Sequence, residues 1–183
     1  AASVSRRSRN GCMPTLIRGR DIVADDWTVC EDGARATGIA RAIVPAAYAA
    51  ANSATLFAGD RDIGVWLSGD AELDDIVDLL DRVSLIAIHF PAFNDGRGLS
   101  LAVLLRTRFG YTGELRAIGD VHTDILHYLH RCGFDSYLLP DGRDPATALA
   151  ALGSLTDFYQ GSVVQPLPAF RRVARGNAST KVA

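Results

Sequence analysis

The stretch SLIAIHFPAFNDGRGLS, residues 84–100, decides how the chain is read. Ser84 to Phe90 is apolar almost throughout instead of alternating, which is the pattern of a strand covered on both faces. Leu101, Leu104 and Leu105 then recur at helical spacing, with Ser100 placed to cap the helix and Gly110 to end it. The connection between them, PAFNDGRGLS, is longer than the roughly two to six residues usual in such a unit, and long loops in compact domains are often functional.

The same alternation extends outward from this unit. Upstream, Ile63 to Leu67 (IGVWL) predicts a strand, and Leu73, Ile76, Val77 and Leu80 predict the helix after it. Downstream, Glu114 to Gly119 (ELRAIG) predicts a third strand, followed by Ile125, Tyr128, Leu129 and Cys132 on one helical face with Gly133 as its stop. Ser136 to Pro140 predicts the fourth strand, and Asp144-Pro145 supplies a cap and a first-turn proline for a last helix running to about Tyr159. Nearer the start, Gly19-Arg20 separates two short apolar runs within Thr15 to Cys30, which predicts a small hairpin. The alanine-rich segment Ala46 to Ala58 predicts a helix bracketed by Pro45 and Gly59.

Apolar strands alternating with helices imply an α/β fold with a parallel sheet of about four strand-helix units behind a short N-terminal hairpin. An open sheet is expected, because the usual closed barrel needs eight units, with a half-barrel as the alternative. The organisation expected is a disordered extension over residues 1–12, a single domain over 13–160 and a flexible tail over 161–183, where the pattern fades.

Composition narrows the function. A chain of 183 residues with 48% hydrophobic content can bury one full core, and 19 basic against 21 acidic residues give a net charge of -2, without the footprint of a nucleic-acid binder. No apolar run reaches the roughly 20 residues of a membrane-spanning helix. Cys12, Cys30 and Cys132 are odd in number and widely spaced, which suits a reducing compartment, so a cytoplasmic protein is expected.

In parallel sheets ligands bind beyond the carboxyl ends of the strands. Four polar clusters follow the four strands: Ser68-Gly69-Asp70, His89 through Gly98, Gly119-Asp120 with His122, and Asp141-Gly142-Arg143. Asp70 and Asp141 read as ordinary turn residues. In the long loop, Gly96 and Gly98 would let backbone amides approach a ligand, Ser100 would open a helix that favours an anion, and Arg97 would hold that anion. Asp95 and Asp120 are the candidate catalytic carboxylates.

No nucleotide-binding loop follows any strand, and no flavin, nicotinamide, haem or iron-sulfur motif has recognisable spacing, so the cofactor is unknown. His122, His127 and His130 with Asp124 have the residue types of a metal site but not its spacing, and no metal ligand is assigned. His89 suits a hydrogen-bonded core residue as well as a base, and Cys132 reads as a small buried hydrophobe.

From Met13 to about Gln160 the chain resembles the bacterial family catalogued as domain of unknown function 934. The resemblance is carried by Ile86-Ala-Ile-His-Phe-Pro, Phe93-Asn-Asp-Gly-Arg-Gly-Leu-Ser, Leu104-Leu-Arg, Gly113-Glu-Leu-Arg-Ala-Ile-Gly-Asp-Val and Arg131-Cys-Gly-Phe-Asp. It implies an oxidoreductase or accessory subunit of assimilatory sulfate and sulfite reduction, because the genes of its members sit beside those for sulfite reductase. Sulfite reductase, or another sulfur-assimilation enzyme, is then the expected partner, and sulfite or sulfate the expected small anion.

The commoner family pattern has an acidic residue where His89 stands, lysine where Ala92 stands and no histidine at position 122. That lowers the rank of both histidines and leaves Asp95, Arg97, Arg116 and Asp120 as the leading site residues. Two other classes of function remain beside the first: a non-catalytic adaptor docking on sulfite reductase, and a metal- or acid-base-dependent enzyme using Asp95 and Asp120.

Overall fold

The computed structural model describes residues 15–155 and 158–172. The extension over 1–12 and the end of the tail lie outside the described residues.

Two short strands, β1 (Thr15–Arg18) and β2 (Asp21–Ala24), form the antiparallel hairpin expected around Gly19-Arg20, with Gly19 at φ +60. They are followed by β3 (Thr28–Val29) and β4 (Arg41–Pro45), and then by α1 (Ala46–Ala51) and α2 (Ser53–Leu56), which divide the alanine-rich helix at Asn52. Pro45 ends β4 instead of opening the helix. The remaining elements are β5 (Asp62–Leu67), β6 (Leu85–Phe90), α3 (Arg97–Thr107), β7 (Glu114–Gly119), α4 (Leu126–Arg131), β8 (Ser136–Leu138), α5 (Pro145–Leu152) and α6 (Ala169–Arg172).

All eight strands join one sheet in the order β2-β1-β8-β7-β6-β5-β4-β3. Neighbours from β3 to β8 are parallel, and the hairpin adds at one end through an antiparallel β1–β8 pairing. The parallel part therefore exceeds four strands: β3 and β4 extend it beyond the units legible in sequence.

The order also dictates the curvature. β2 and β3 occupy opposite edges, yet only Asp25, Asp26 and Trp27 connect them. Four Cα steps reach at most about 14 Å, whereas seven inter-strand spacings laid flat would separate the edges by roughly 34 Å. The sheet is open but must curl strongly, and it forms a half-barrel.

Alternate strand residues divide into two apolar clusters, as the two-residue period of a strand requires. Ile86, Ile88 and Phe90 of β6 with Leu115 and Ala117 of β7 belong to the large cluster beneath the helices. Leu85, Ala87 and Ile118 belong to a small cluster on the other, concave face, where Trp27, Val29 and Trp66 pack.

Several helical faces differ from the sequence expectation. Residues Leu73–Leu79 form a 3-10 helix whose three-residue period buries Leu73, Ile76 and Leu79 and leaves Val77 exposed. Leu104 of α3 and Tyr128 of α4 also face solvent, while Leu101, Leu105, Leu126 and Leu129 carry the packing. Asp144 caps α5 as expected, accepting from the Ala146 and Thr147 amides, with Pro145 at the first position. That helix stops at Leu152, short of Tyr159.

Part of the stretch read as a flexible tail packs on the body. Val163 N–H donates to Arg131 O at 3.1 Å.

Candidate functional site at the strand ends

The loops that follow β5, β6, β7 and β8 all leave the carboxyl edge of the parallel strands. β6 and β7 end level with each other, Phe90 opposite Gly119, and Asp120 N–H donates to Phe90 O at 2.8 Å. This contact requires Gly119. Its φ is +95, and a Cβ there would stand far inside contact with the Phe90 carbonyl oxygen.

The long loop is tied down at two points. Phe93 N–H donates to Asp120 Oδ2 at 3.1 Å, and the other oxygen of Asp120 is 3.0 Å from His122 Nε2. The Phe93 ring packs on the His122 imidazole at 5.2 Å between centroids, and Arg143 Nη2 lies 3.2 Å from His122 Nε2. One string of contacts thus joins the loops after β6, β7 and β8.

Asp95 and Arg97 make the second anchor. Arg97 Nε donates to Asp95 Oδ1 at 3.0 Å and Nη2 to Oδ2 at 2.7 Å, while the Arg97 backbone N–H also donates to Oδ1 at 3.2 Å. The Arg97 side-chain hydrogen bond, assisted by its backbone amide, lowers the Asp95 pKa to about 2. Asp95 is therefore a fixed anion at neutral pH and no proton donor. Arg97 remains 59% exposed at its side chain, so the pair orients the guanidinium without sealing it. Asp70, after β5, lies below the ordinary carboxylate range because Ser68 donates to it, with Arg97 adding a smaller attraction.

Three predicted residues take other roles. Gly98 is the second residue of α3, where a Cβ would meet Ile88 Cγ2 and Phe90 Cζ at 2.8 Å. Its lack of a side chain lets the helix seat on β6; it is not a ligand cradle. Ser100 is exposed in the body of α3, because the helix begins at Arg97 with Gly96 as its cap residue and no side-chain cap. Gly96 itself has open space around its α-carbon, with only Leu99 Cδ1 at 3.9 Å.

Arg116 does not join the strand-end cluster. By strand alternation it points to the concave face, where it is 0% exposed. Nη1 donates to Asp25 at 2.7 Å, and Nε and Nη2 donate to Glu114 Oε1 at 3.0 and 2.8 Å. Ser136 Oγ donates to the same Glu114 oxygen at 2.5 Å, and Arg18 pairs with the other at 3.0 Å. Glu114 and Ser136 open their strands, so this network lies toward the opposite end of the sheet from Asp95. Its guanidinium is already satisfied by two carboxylates and holds no external anion.

The sequence ranks His122 low and marks Arg143 only as a member of the polar cluster after β8, with no role assigned. The Asp120-Val-His122 spacing was the available signal, since an extended segment places such residues on one side. Among the described residues no group of three or more His, Cys, Asp or Glu side chains could hold a metal ion. Among them, too, no helix is long and apolar enough to cross a membrane.

Residues 64–170 match the family described as "Bacterial protein of unknown function (DUF934)", which is more than half of the chain. The chain belongs to the DUF934 family. No curated protein matches it. The DUF934 region begins in β5 and ends in α6, so it contains every loop of the strand-end cluster and leaves the hairpin, β3 and β4 outside. It also extends past Gln160 into the segment that packs on Arg131.

Proposed function

We propose that the strand-end mouth of the half-barrel holds a small oxyanion, and that the protein is an accessory component of assimilatory sulfite reduction that presents sulfite or sulfate to a partner enzyme such as sulfite reductase. The reading is carried by the Asp95–Arg97 pair. One edge of the guanidinium fork, Nε and Nη2, is fixed on Asp95, and the rest of a largely exposed cation faces solvent at the first turn of α3. A cation held in place in advance meets an oxyanion without ordering a long side chain during binding. Arg143, placed against His122, supplies a second positive charge on the same edge. The link to sulfur rests on the gene neighbourhood that the family resemblance implies.

A thermal-shift titration with sulfite, sulfate and chloride tests this. A ligand present at about 100 times its Kd stabilises the folded state by about 2.7 kcal/mol, several degrees in a chain of this size. Sulfite is expected to raise Tm in the native protein and to lose most of that effect in Arg97→Ala. A full shift retained in Arg97→Ala sinks the reading.

One observation favours a second reading, an acid-base enzyme: the 3.0 Å contact between Asp120 and His122, the arrangement by which a carboxylate orients an imidazole for proton transfer. Here His122 would be the base and Asp120 the positioning group, while Asp95, ionised down to about pH 2, takes no proton.

A further inference from the structure

A second concavity lies on the helical side, between the last turns of α3 and α4 and the chain segment over 160–166. It has a volume of about 680 Å³, and Val103, Thr107, Tyr128, Arg131, Val163 and Pro166 form most of its wall. Val103 and Thr107 lie in the half of α3 farther from Arg97, so this groove is separate from the strand-end mouth.

The outer wall is a built structure. Ser162 N–H donates to Gln165 O at 2.9 Å, and Gln165 N–H donates to Ser162 Oγ at 3.2 Å. Two glycines admit it: a Cβ on Gly161 would stand 2.5 Å from Pro166 O, and one on Gly133 would meet Arg106 Cγ at 2.7 Å and Val163 Cγ1 at 3.0 Å.

The groove contains a cation without a counter-ion among the described residues. Arg131 lies over the Phe158 ring at 4.6 Å and near the Tyr128 ring at 5.7 Å. Its hydrogen bond, Nη2 to Gln160 O, is at 3.5 Å, and its buried Nε has no partner among the described residues. None of the ion pairs among those residues involves Arg131. Asp135, four residues on, is already engaged by Arg106 and the Leu115 amide. A half-buried guanidinium held against two aromatic rings, with no carboxylate paired to it among the described residues, is complementary to an incoming one.

Apolar side chains are exposed on the segments that form its wall: Tyr128 is 52% exposed, and Val164 and Leu167, next in sequence to the wall residues Val163 and Pro166, are 45% and 56% exposed. A small metabolite inside the groove would leave these side chains in water, whereas a protein segment laid along it would cover them. Tyrosine and arginine are also the residue types on which binding energy concentrates in interfaces.

We infer that this groove is a docking site for a partner protein, and that it takes a segment in which a carboxylate is next to large apolar side chains. The carboxylate pairs with Arg131, and the apolar side chains lie against Val103, Val163 and Pro166. This surface is independent of the anion site, and each can fail without the other.

The test uses the full chain and fluorescence polarisation with a labelled synthetic octapeptide carrying two Glu residues around Leu-Phe. Control peptides replace Glu by Gln or Leu-Phe by Ser-Ser, and unlabelled decanoate serves as a competitor. The acidic apolar peptide is expected to bind, each control peptide to bind about tenfold more weakly or worse, and decanoate not to compete. Arg131→Gln should weaken binding at least tenfold. Thr107→Glu, an exposed change that leaves the seat of the 160–166 segment intact, should do the same by placing a like charge in the groove. Three outcomes overturn the inference: no binding up to about 1 mM peptide, native affinity in both variants, or displacement by decanoate with the same dependence on Arg131, which would make the site one for fatty carboxylates.

Discussion

Replacing Arg116 by methionine separates the two roles this residue could have. The side chain is 0% exposed, and the two carboxylates it joins are themselves only 4% and 18% exposed. Arg116→Met would leave Asp25 and Glu114 facing each other in the concave interior with one attractive partner fewer. Removing one member of a buried ion cluster destabilises by about 3–5 kcal/mol, mainly because the remaining charges are left uncompensated. At about 2–4 °C per kcal/mol for a chain of this length, Tm should fall by roughly 6–20 °C.

The same reasoning predicts that the charges can be removed together at lower cost. Adding Asp25→Ala and Glu114→Gln to Arg116→Met removes the two carboxylates that Arg116 joined and should recover at least half of the loss, since a buried ionic cluster is often no more stable than neutral groups in its place. Urea unfolding with a constant m-value measures both steps. If Arg116→Met unfolded at the native urea midpoint and instead lost a sulfite-induced shift, Arg116 would be an anion ligand after all and the closed cluster would be a misreading.

Three further outcomes follow from the strand-end geometry. Gly98→Ala should lose about 1–3 kcal/mol in urea unfolding, because a Cβ would press on Ile88 and Phe90, whereas Gly96→Ala should stay within about 1 kcal/mol of native; equal effects would mean that α3 does not seat on β6 through Gly98. Gly119→Ala, which adds a Cβ both at φ +95 and against the Phe90 carbonyl, should lose at least about 2 kcal/mol, and a neutral result would deny the close approach of β6 and β7. The folded pKa of Asp95 is below its unfolded one, so its stabilising contribution is complete above about pH 4 and is lost as pH falls through about 2. Carboxyl NMR should show Arg97→Ala moving that titration upward, and an unmoved midpoint would assign the depression to the backbone amide alone.

The strand-helix alternation was legible because β5 and β6 are largely apolar runs and β7 a short one interrupted only by Glu114 and Arg116, and the structure reproduces all three almost residue for residue. β4 was not: its run Ala42-Ile43-Val44 lies directly against Pro45 and the alanine-rich helix, with no polar punctuation to separate strand from helix. β3 is too short to give a period at all. The face of residues Leu73–Leu79 was mispredicted because the period there is 3.0 instead of 3.6, which exposes Val77. Among the site residues, Glu114 and Arg116 carried a readable signal, since residues two apart on a strand share a face. Asp25, the partner that closes their network, stands on a connection far upstream, and no local pattern announces such a contact.

The Asp25 contact also explains why the polar residues of the sheet divide between its two ends. The short Asp25–Trp27 connection can join the two edge strands only if the sheet curls, and curling turns Glu114 and Arg116 into an interior where unpaired charge would be costly. The same connection supplies the remedy: Asp25 reaches Arg116, and Asp26 pairs with Arg41 at the start of β4. Charges toward the strand starts are consumed in holding the half-barrel together. At the strand ends the demand is absent, and Arg97 and Arg143 are free to face solvent. His89 stands between the two regions on the concave face, 6.5 Å from the Trp66 ring, where burial pushes its imidazole toward the neutral form. Barrel-like sheets place stability at one end and binding at the other. Here the division follows from a three-residue connection that closes one end with internal ion pairs and leaves the charged side chains of the other facing solvent.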